Sequence, residues 1–261
     1  WITHDSPMQQ TIDQLKDLKL YGLLEAWCEQ HEHPTYHDLG FDERFAMLVE
    51  REHIRRQNQR LKRRLKQAQL FVGATLSEVD FQVSRGLKKA QFLDWAQGQW
   101  LIQHLNLILV GPTGVGKTFL ACTLADHLCK QGYTARYFKT ADLIADLKFA
   151  KADGSFPKFR KQLASVDVVI LDEWLRDLLT PNDAREILDF LDDRYRRASC
   201  LFASQFPIKD WHQKIQDPTL ADAILDRIVH DSLRLTLKGE SMRKLTSQLN
   251  PKSEGTKPAG Q

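Results

Sequence analysis

The residues with the most pointed chemistry are Gly111, Pro112, Thr113, Gly114, Val115, Gly116, Lys117 and Thr118, which run consecutively as GPTGVGKT. Glycines at these spacings let the backbone turn tightly enough for successive N–H groups to converge on one anion. An apolar run at 105–110 precedes the loop and a helical pattern follows it. An anion held there would also meet the positive end of that helix. This is a phosphate cradle, and it makes ATP the expected ligand. Lys117 would reach the β- and γ-phosphates, and Thr118 would help hold Mg²⁺. A cradle of this kind needs an acid at the end of a neighbouring strand, and VVILDE at 168–173 offers two. Asp172 would bind Mg²⁺ through water, and Glu173 would act as general base on the attacking water.

The elements that must position these residues alternate. Apolar strands are expected at 105–110, 134–138, 166–171 and 200–204, with helices at 118–130, 143–149, 158–164 and 182–196. Strands alternating with helices build a parallel sheet covered on both faces. Ahead of this α/β region the pattern is helical. Ile12, Leu15, Leu18, Leu23, Leu24 and Trp27 recur at helical spacing over 11–29, and a second helix is expected from about Glu43, capped by Asp42. Phe45, Leu48, Val49, Ile54, Leu61 and Leu65 form one stripe along it. The organisation expected is a helical domain at 8–70, a linker and adenine-side segment at 71–104 with a short helix over 87–96, an ATPase domain at 105–249, and a disordered tail at 250–261 rich in Pro, Gly and Lys. The helical pattern begins at Met8, which is read as the natural start with residues 1–7 an extension.

Composition sets the bounds. The chain has 261 residues, 42% hydrophobic and 27% charged, as in a globular protein with a sizeable core. Its four cysteines, Cys28, Cys122, Cys129 and Cys200, show no CxxC spacing, which argues against a zinc site or disulfide framework and fits a reducing cytoplasm. The apolar runs are too short to span a bilayer. His31, His33 and His37 sit in a polar turn without further ligands and are read as solvent-exposed.

Over 105–250 the chain resembles the AAA+ ATPases of the IstB and DnaC group, on the IstB side. The match is carried by NLILVGPTGVGKT, GYTARYF, AKADGS, VDVVILDEW and, above all, DPTLADAILDRIVHDSLRLTLKGESMRK at 217–244. It extends through LKLYGLLEAW in the N-terminal helices. The resemblance implies an AAA+ fold and an ATPase that oligomerises on DNA, with ATP at subunit interfaces, and assists a cognate transposase. A DnaC-like helicase loader and a non-hydrolysing adaptor remain the alternatives. It also implies roles by position. Gln205 would be the polar sensor near the γ-phosphate, Arg227 an arginine finger reaching a neighbouring subunit's nucleotide, and Arg243 an ATP-contacting arginine of the lid. Arg227 has a plainer alternative, an ion pair with Asp226 or Asp231. One departure stands out: after Asp-Glu-Trp the family usually places a glycine and an acid, whereas this chain has Leu175-Arg176-Asp177. A leucine at a turn that favours glycine puts the rate of hydrolysis in question.

The net charge is only +3, so a nucleic-acid argument rests on where cations cluster. Arg51, Arg55, Arg56, Arg60, Lys62, Arg63, Arg64 and Lys66 crowd one helix, and Arg55, Arg56, Arg60 and Arg63 are the DNA-contact candidates there. Lys148, Lys151, Lys158, Arg160 and Lys161 form the second group, in the region where the resemblance implies a DNA-lining insertion. Neither group offers a base-reading pattern. Binding to double-stranded DNA would be largely independent of sequence and sensitive to salt.

Overall fold

The computed structural model describes residues 7–239 and 242. The chain divides into two compact units, Trp1–Arg63 and Arg64–Gln261.

The first unit is helical: α1 (Pro7–Asp17), α2 (Tyr21–Glu32) and most of α3 (Phe41–Ala68). The single helix expected over 11–29 is in fact two. The break is a left-handed closure at Lys19 (φ 57), with Leu20 N–H donating to Leu15 O at 2.8 Å and Lys19 N–H to Lys16 O at 2.9 Å. Glycine normally takes this position, so a lysine hides the helix end from sequence. The next helix starts where Glu52 of α3 accepts the N–H groups of Gly22 (2.7 Å) and Leu23 (3.3 Å). A side chain at Gly22 would lie 2.9 Å from the α3 backbone, so glycine is required for this close approach. Burial works against the Glu52 charge, but the Arg56 pair and these two N–H groups outweigh it and hold the carboxyl below its usual range. Half of the stripe on α3 is exposed: Phe45, Val49 and Ile54 face out, Leu61 and Leu65 are half-buried, and Leu48 is buried.

The second unit carries α4 (Lys89–Ala96), α5 (Gln99–Ile102), β1 (Asn106–Val110), α6 (Lys117–Gln131), β2 (Ala135–Lys139), α7 (Thr140–Asp153), α8 (Phe156–Ala164), β3 (Val168–Asp172), α9 (Pro181–Arg194), β4 (Ser199–Ser204), α10 (Pro218–Val229) and β5 (Ser232–Thr236). Its sheet is wholly parallel, in the order β2-β3-β4-β1-β5. β1, β3 and β4 are buried along their full lengths, as aliphatic strands between two helical layers must be. The carboxyl ends of these three central strands all point to one edge. That edge receives the loops at 111, 173 and 205, which is where a doubly covered parallel sheet places its ligand.

The α/β reading holds, with the four expected strands present and shifted by a residue or two. α7 is longer than expected, starting at Thr140 and ending at Gly154 in a left-handed cap (φ 80). Three elements were not anticipated from periodicity: the short α5, α10 and β5. α10 opens on Asp217, whose carboxylate accepts the N–H groups of Thr219 and Leu220, both at 3.0 Å, with Pro218 at the first helical position. β5 follows and extends the sheet beyond β1. Trp95, Trp100, Trp174 and Trp211 are all buried.

Candidate functional site

A cavity of about 850 Å³ opens at the carboxyl edge of the sheet, between the 111–118 loop, the ends of β3 and β4, and the segment 71–85. The loop is built as the glycine spacing demands. Gly114 (φ 86) and Gly116 (φ 98) take left-handed conformations that L side chains rarely adopt, and a Cβ on Gly111 would lie 2.7 Å from Leu237 O. Gly116 caps α6, so the cavity faces that helix's free N–H groups. Lys117 Nζ donates to Gly111 O (2.7 Å) and Pro112 O (2.9 Å), which keeps the ammonium over the loop. Burial pulls its pKa below the ordinary lysine range, and the nearby Asp172 charge opposes that shift.

The loop is clasped from behind. Arg85, 3% exposed, donates from Nη1 to Val115 O (3.2 Å) and from Nη2 to Asp80 O (3.1 Å). In a planar trans peptide the C=O and N–H point in opposite directions, so fixing Val115 O fixes the Gly116 N–H as well. Met242 N–H adds a bond to Gly114 O at 2.9 Å.

On the acid side, Thr118 Oγ1 donates to Asp172 Oδ2 at 2.6 Å. This hydroxyl and carboxylate, 54 positions apart in sequence, come together because β3 lies one strand from β1, across β4. Glu173 lines the same cavity in a left-handed conformation (φ 55) and is held by two cations, Arg176 through a short ion pair and Lys139 at 3.8 Å. Leu175 is also left-handed (φ 56) and buried, so the departure from glycine is a strained turn in this chain. Trp174 anchors that turn. It is fully buried against Phe202 and Trp211, and its N–H donates to Ala203 O at 2.9 Å.

The remaining candidates divide. Gln205 lines the cavity and accepts from Thr113 Oγ1 at 3.0 Å. Arg227, on α10, does not line it. Its guanidinium pairs with Asp192 of α9 and donates to Ala223 O at 3.0 Å, so neither Asp226 nor Asp231 is its partner. Arg243 lies outside the described residues. Among the DNA-contact candidates, Lys148 is paired with Asp183 (2.5 Å), Lys151 with Glu186 (2.6 Å) and Arg160 with Asp193, an acidic row on α9. Lys158 and Lys161 are exposed and form no ion pair among the described residues. In the first unit, Arg55 pairs with Glu25 (3.4 Å) and Arg56 with Glu52 (2.6 Å), whereas Arg60 and Arg63 are exposed and have no ion pair among the described residues. Sequence reasoning missed Arg85, Tyr137, Lys139 and Asp192. No local motif marks them, because each reaches its partner through tertiary packing.

Residues 13–250 match the sequence profile of the IstB-like ATP binding protein family. The chain belongs to that family. Relatives include an insertion-sequence ATP-binding protein of Sinorhizobium fredii, 37% identical over 234 residues that cover 90% of this chain and 96% of the relative. The ATP-binding protein of insertion sequence IS1162 from Pseudomonas fluorescens is 42% identical over 200 residues, 76% of this chain and 87% of the relative. Among solved structures, DnaI superposes with a TM-score of 0.55 at 20% identity, covering 64% of this chain and 95% of DnaI. The replication initiator DnaA bound to AMPPCP and single-stranded DNA gives 0.54 at 19% identity, covering 71% and 59%. These likenesses establish an AAA+ P-loop fold. This IstB-like chain is a nucleotide-binding protein.

Among the described residues no helix is long and apolar enough to cross a membrane. No group of three or more His, Cys, Asp or Glu side chains among them is arranged to hold a metal. The Thr118 hydroxyl and Asp172 carboxylate are hard oxygen donors beside the phosphate cradle, a set that fits Mg²⁺ bound together with a nucleotide.

Proposed function

We propose that this protein is a cytoplasmic, ATP-hydrolysing AAA+ factor that oligomerises on double-stranded DNA and helps a transposase engage its target. The observation that carries this reading is an incomplete cavity. Phosphate donors, Lys117, Asp172, Glu173 and Gln205 all line it. Among the described residues, the guanidinium groups there are already engaged, Arg85 with the loop and Arg176 with Glu173. Arg227 stands elsewhere, on α10, where it could serve a neighbour's nucleotide. A cation supplied in trans stabilises the transition-state charge by roughly 10³–10⁵ in rate, and makes hydrolysis depend on assembly.

In this reading the loop N–H groups and Lys117 bind the β- and γ-phosphates. Thr118 and Asp172 hold Mg²⁺, which supplies charge neutralisation on the phosphate oxygens. Gln205, steadied by Thr113, orients the attacking water, and Glu173 takes its proton once freed from Arg176. Lys158, Lys161, Arg60 and Arg63, exposed and without ion pairs among the described residues, are the favoured DNA contacts. Lys148, Lys151, Arg160, Arg55 and Arg56 would first have to leave their carboxylates. The insertion-sequence names of the relatives support a transposase as partner over a replicative helicase. A second reading, a nucleotide-gated adaptor that does not hydrolyse, is favoured by one observation, the Glu173–Arg176 ion pair.

Sedimentation with ATP and duplex DNA tests the proposal. Wild type should form large assemblies, Lys117→Ala should not, and Glu173→Gln should form assemblies that persist after excess ATP is removed. Identical profiles for all three proteins would sink the idea. Assemblies with no phosphate release at any DNA concentration would favour the adaptor.

A further inference from the structure

We propose that Tyr137 is a positioning residue of the nucleotide site, holding Asp172 in the orientation that a phosphate-bound Mg²⁺ requires. This rests on the reading of Asp172 as the Mg²⁺ acid. β2 runs parallel to β3 with Lys139 opposite Asp172 and Tyr137 opposite Ile170. Residues two apart on a strand share a face, so Tyr137 and Asp172 lie on the same side of the sheet. The phenol then reaches forward along the strands. Its O–H donates to Asp172 Oδ2 at 2.8 Å, from a side chain only 7% exposed.

That same oxygen accepts the Thr118 hydroxyl, while Oδ1 accepts the Glu173 N–H at 2.8 Å. The three donors differ in what they can do. Thr118 would offer an oxygen lone pair to a bound cation, and its O–H donates to Asp172 from the cation's side of the carboxylate. The Glu173 N–H fixes one carboxylate oxygen only. Tyr137 donates to Oδ2 from a buried ring on a neighbouring strand, outside the loop that carries Thr118, and so holds the carboxylate against rotation independently of the loop. Phe71 steadies the phenol ring from the side, with centroids 5.9 Å apart and planes inclined by 22°. A charge-assisted bond to a buried carboxylate is also directional, which suits a group that sets orientation.

The test is Tyr137→Phe, which keeps the ring and removes the hydroxyl. Affinity for a fluorescent ATP analogue is measured with Mg²⁺ and with EDTA. The gain in affinity on adding Mg²⁺ should fall roughly five- to tenfold, with the EDTA value unchanged. An undiminished gain overturns the proposal, as does an equal loss in both conditions, which would mark a packing role alone. Phe71→Leu, which disturbs the ring but leaves the hydroxyl, should keep most of the gain; losing it as fully as Tyr137→Phe would also overturn the proposal. Asp172→Ala separates the two levels. If the Mg²⁺-dependent gain survives it, the reading of Asp172 itself is wrong, and the role of Tyr137 falls with it. If Asp172→Ala abolishes the gain and Tyr137→Phe does not, only Tyr137 is wrong. Should Tyr137→Phe fail to fold, 3-fluorotyrosine at 137, a stronger donor of nearly the same shape, should raise the gain; no change would overturn the proposal.

Discussion

The two turns that meet in the nucleotide cavity solve the same backbone problem with different residues. The 111–118 loop places Gly114 and Gly116 where φ is positive, and its clasp by Arg85 and Met242 adds no steric conflict. The turn after β3 places Glu173 and Leu175 in left-handed conformations that cost L residues roughly 1–2 kcal/mol each. Binding phosphate calls for donors fixed in advance, and the first turn is relaxed in that arrangement. The second turn holds its catalytic candidate in ion pairs with Arg176 and Lys139. Strain and ion pairing at one turn are what a step awaiting a trigger would need. On the proposed reading, the contrast is between a turn set to bind nucleotide and a turn that restrains hydrolysis.

The contrast is most easily broken at the relaxed turn. Gly116→Ala puts a Cβ at φ 98 and 2.7 Å from the buried Arg85 guanidinium. Both the backbone and the clasp must shift, so ATP affinity should drop on the order of tenfold to a hundredfold, a loss of about 1–3 kcal/mol. Equilibrium titration checks this, and a fully retained affinity would mean that the loop is not preset.

At the strained turn, Leu175→Gly sharpens the comparison by setting two terms against each other. It relieves about 1–2 kcal/mol of left-handed strain. It also empties a site where the leucine is 1% exposed, a change that costs about 2–5 kcal/mol in a packed core. The cavity term is larger, so denaturant melts should show a net destabilisation of about 1–3 kcal/mol. A stabilised variant would show that the leucine contributes little packing there. The same balance explains how a leucine can persist where glycine is easier for the backbone.

The smallest effect concerns pH. Burial disfavours the charged form of Lys117, so its ammonium deprotonates below the ordinary 10.5. The protonated form is the one that attracts phosphate. Affinity should therefore be full near neutrality and decline as pH rises through the lowered pKa, with the midpoint below 10.5. A midpoint at or above that value, read from titrations across alkaline pH, would mean that the lysine is not desolvated.

How much of this was legible in the sequence follows from how local each feature is. The phosphate loop was, because strand, glycines, lysine and helix lie consecutively and each residue type has its own reason to be there. The acids of β3 were readable for the same reason, and so was the parallel sheet. Arg85 and Tyr137 were not. Their partners lie 30 and 35 residues away and depend on strand order and on the path of the segment before β1. The break at Lys19 was hidden because a lysine does what a glycine usually does. The α10 start, by contrast, carried a visible Asp-Pro signal that periodicity alone passes over. The cations at 148–161 look like a free basic surface in sequence, and only the α9 acids facing them show that three of the five are paired.

The restraint on Glu173 is the centre of this account, and Arg176→Ala tests it most directly. ATP affinity and the single-turnover rate of phosphate release would be measured on the DNA-assembled protein beside wild type. Affinity should be unchanged and phosphate release roughly three- to tenfold faster, the order expected from losing one partly exposed ion pair of about 1 kcal/mol. Release that is unchanged or slower, at unchanged affinity, would contradict it.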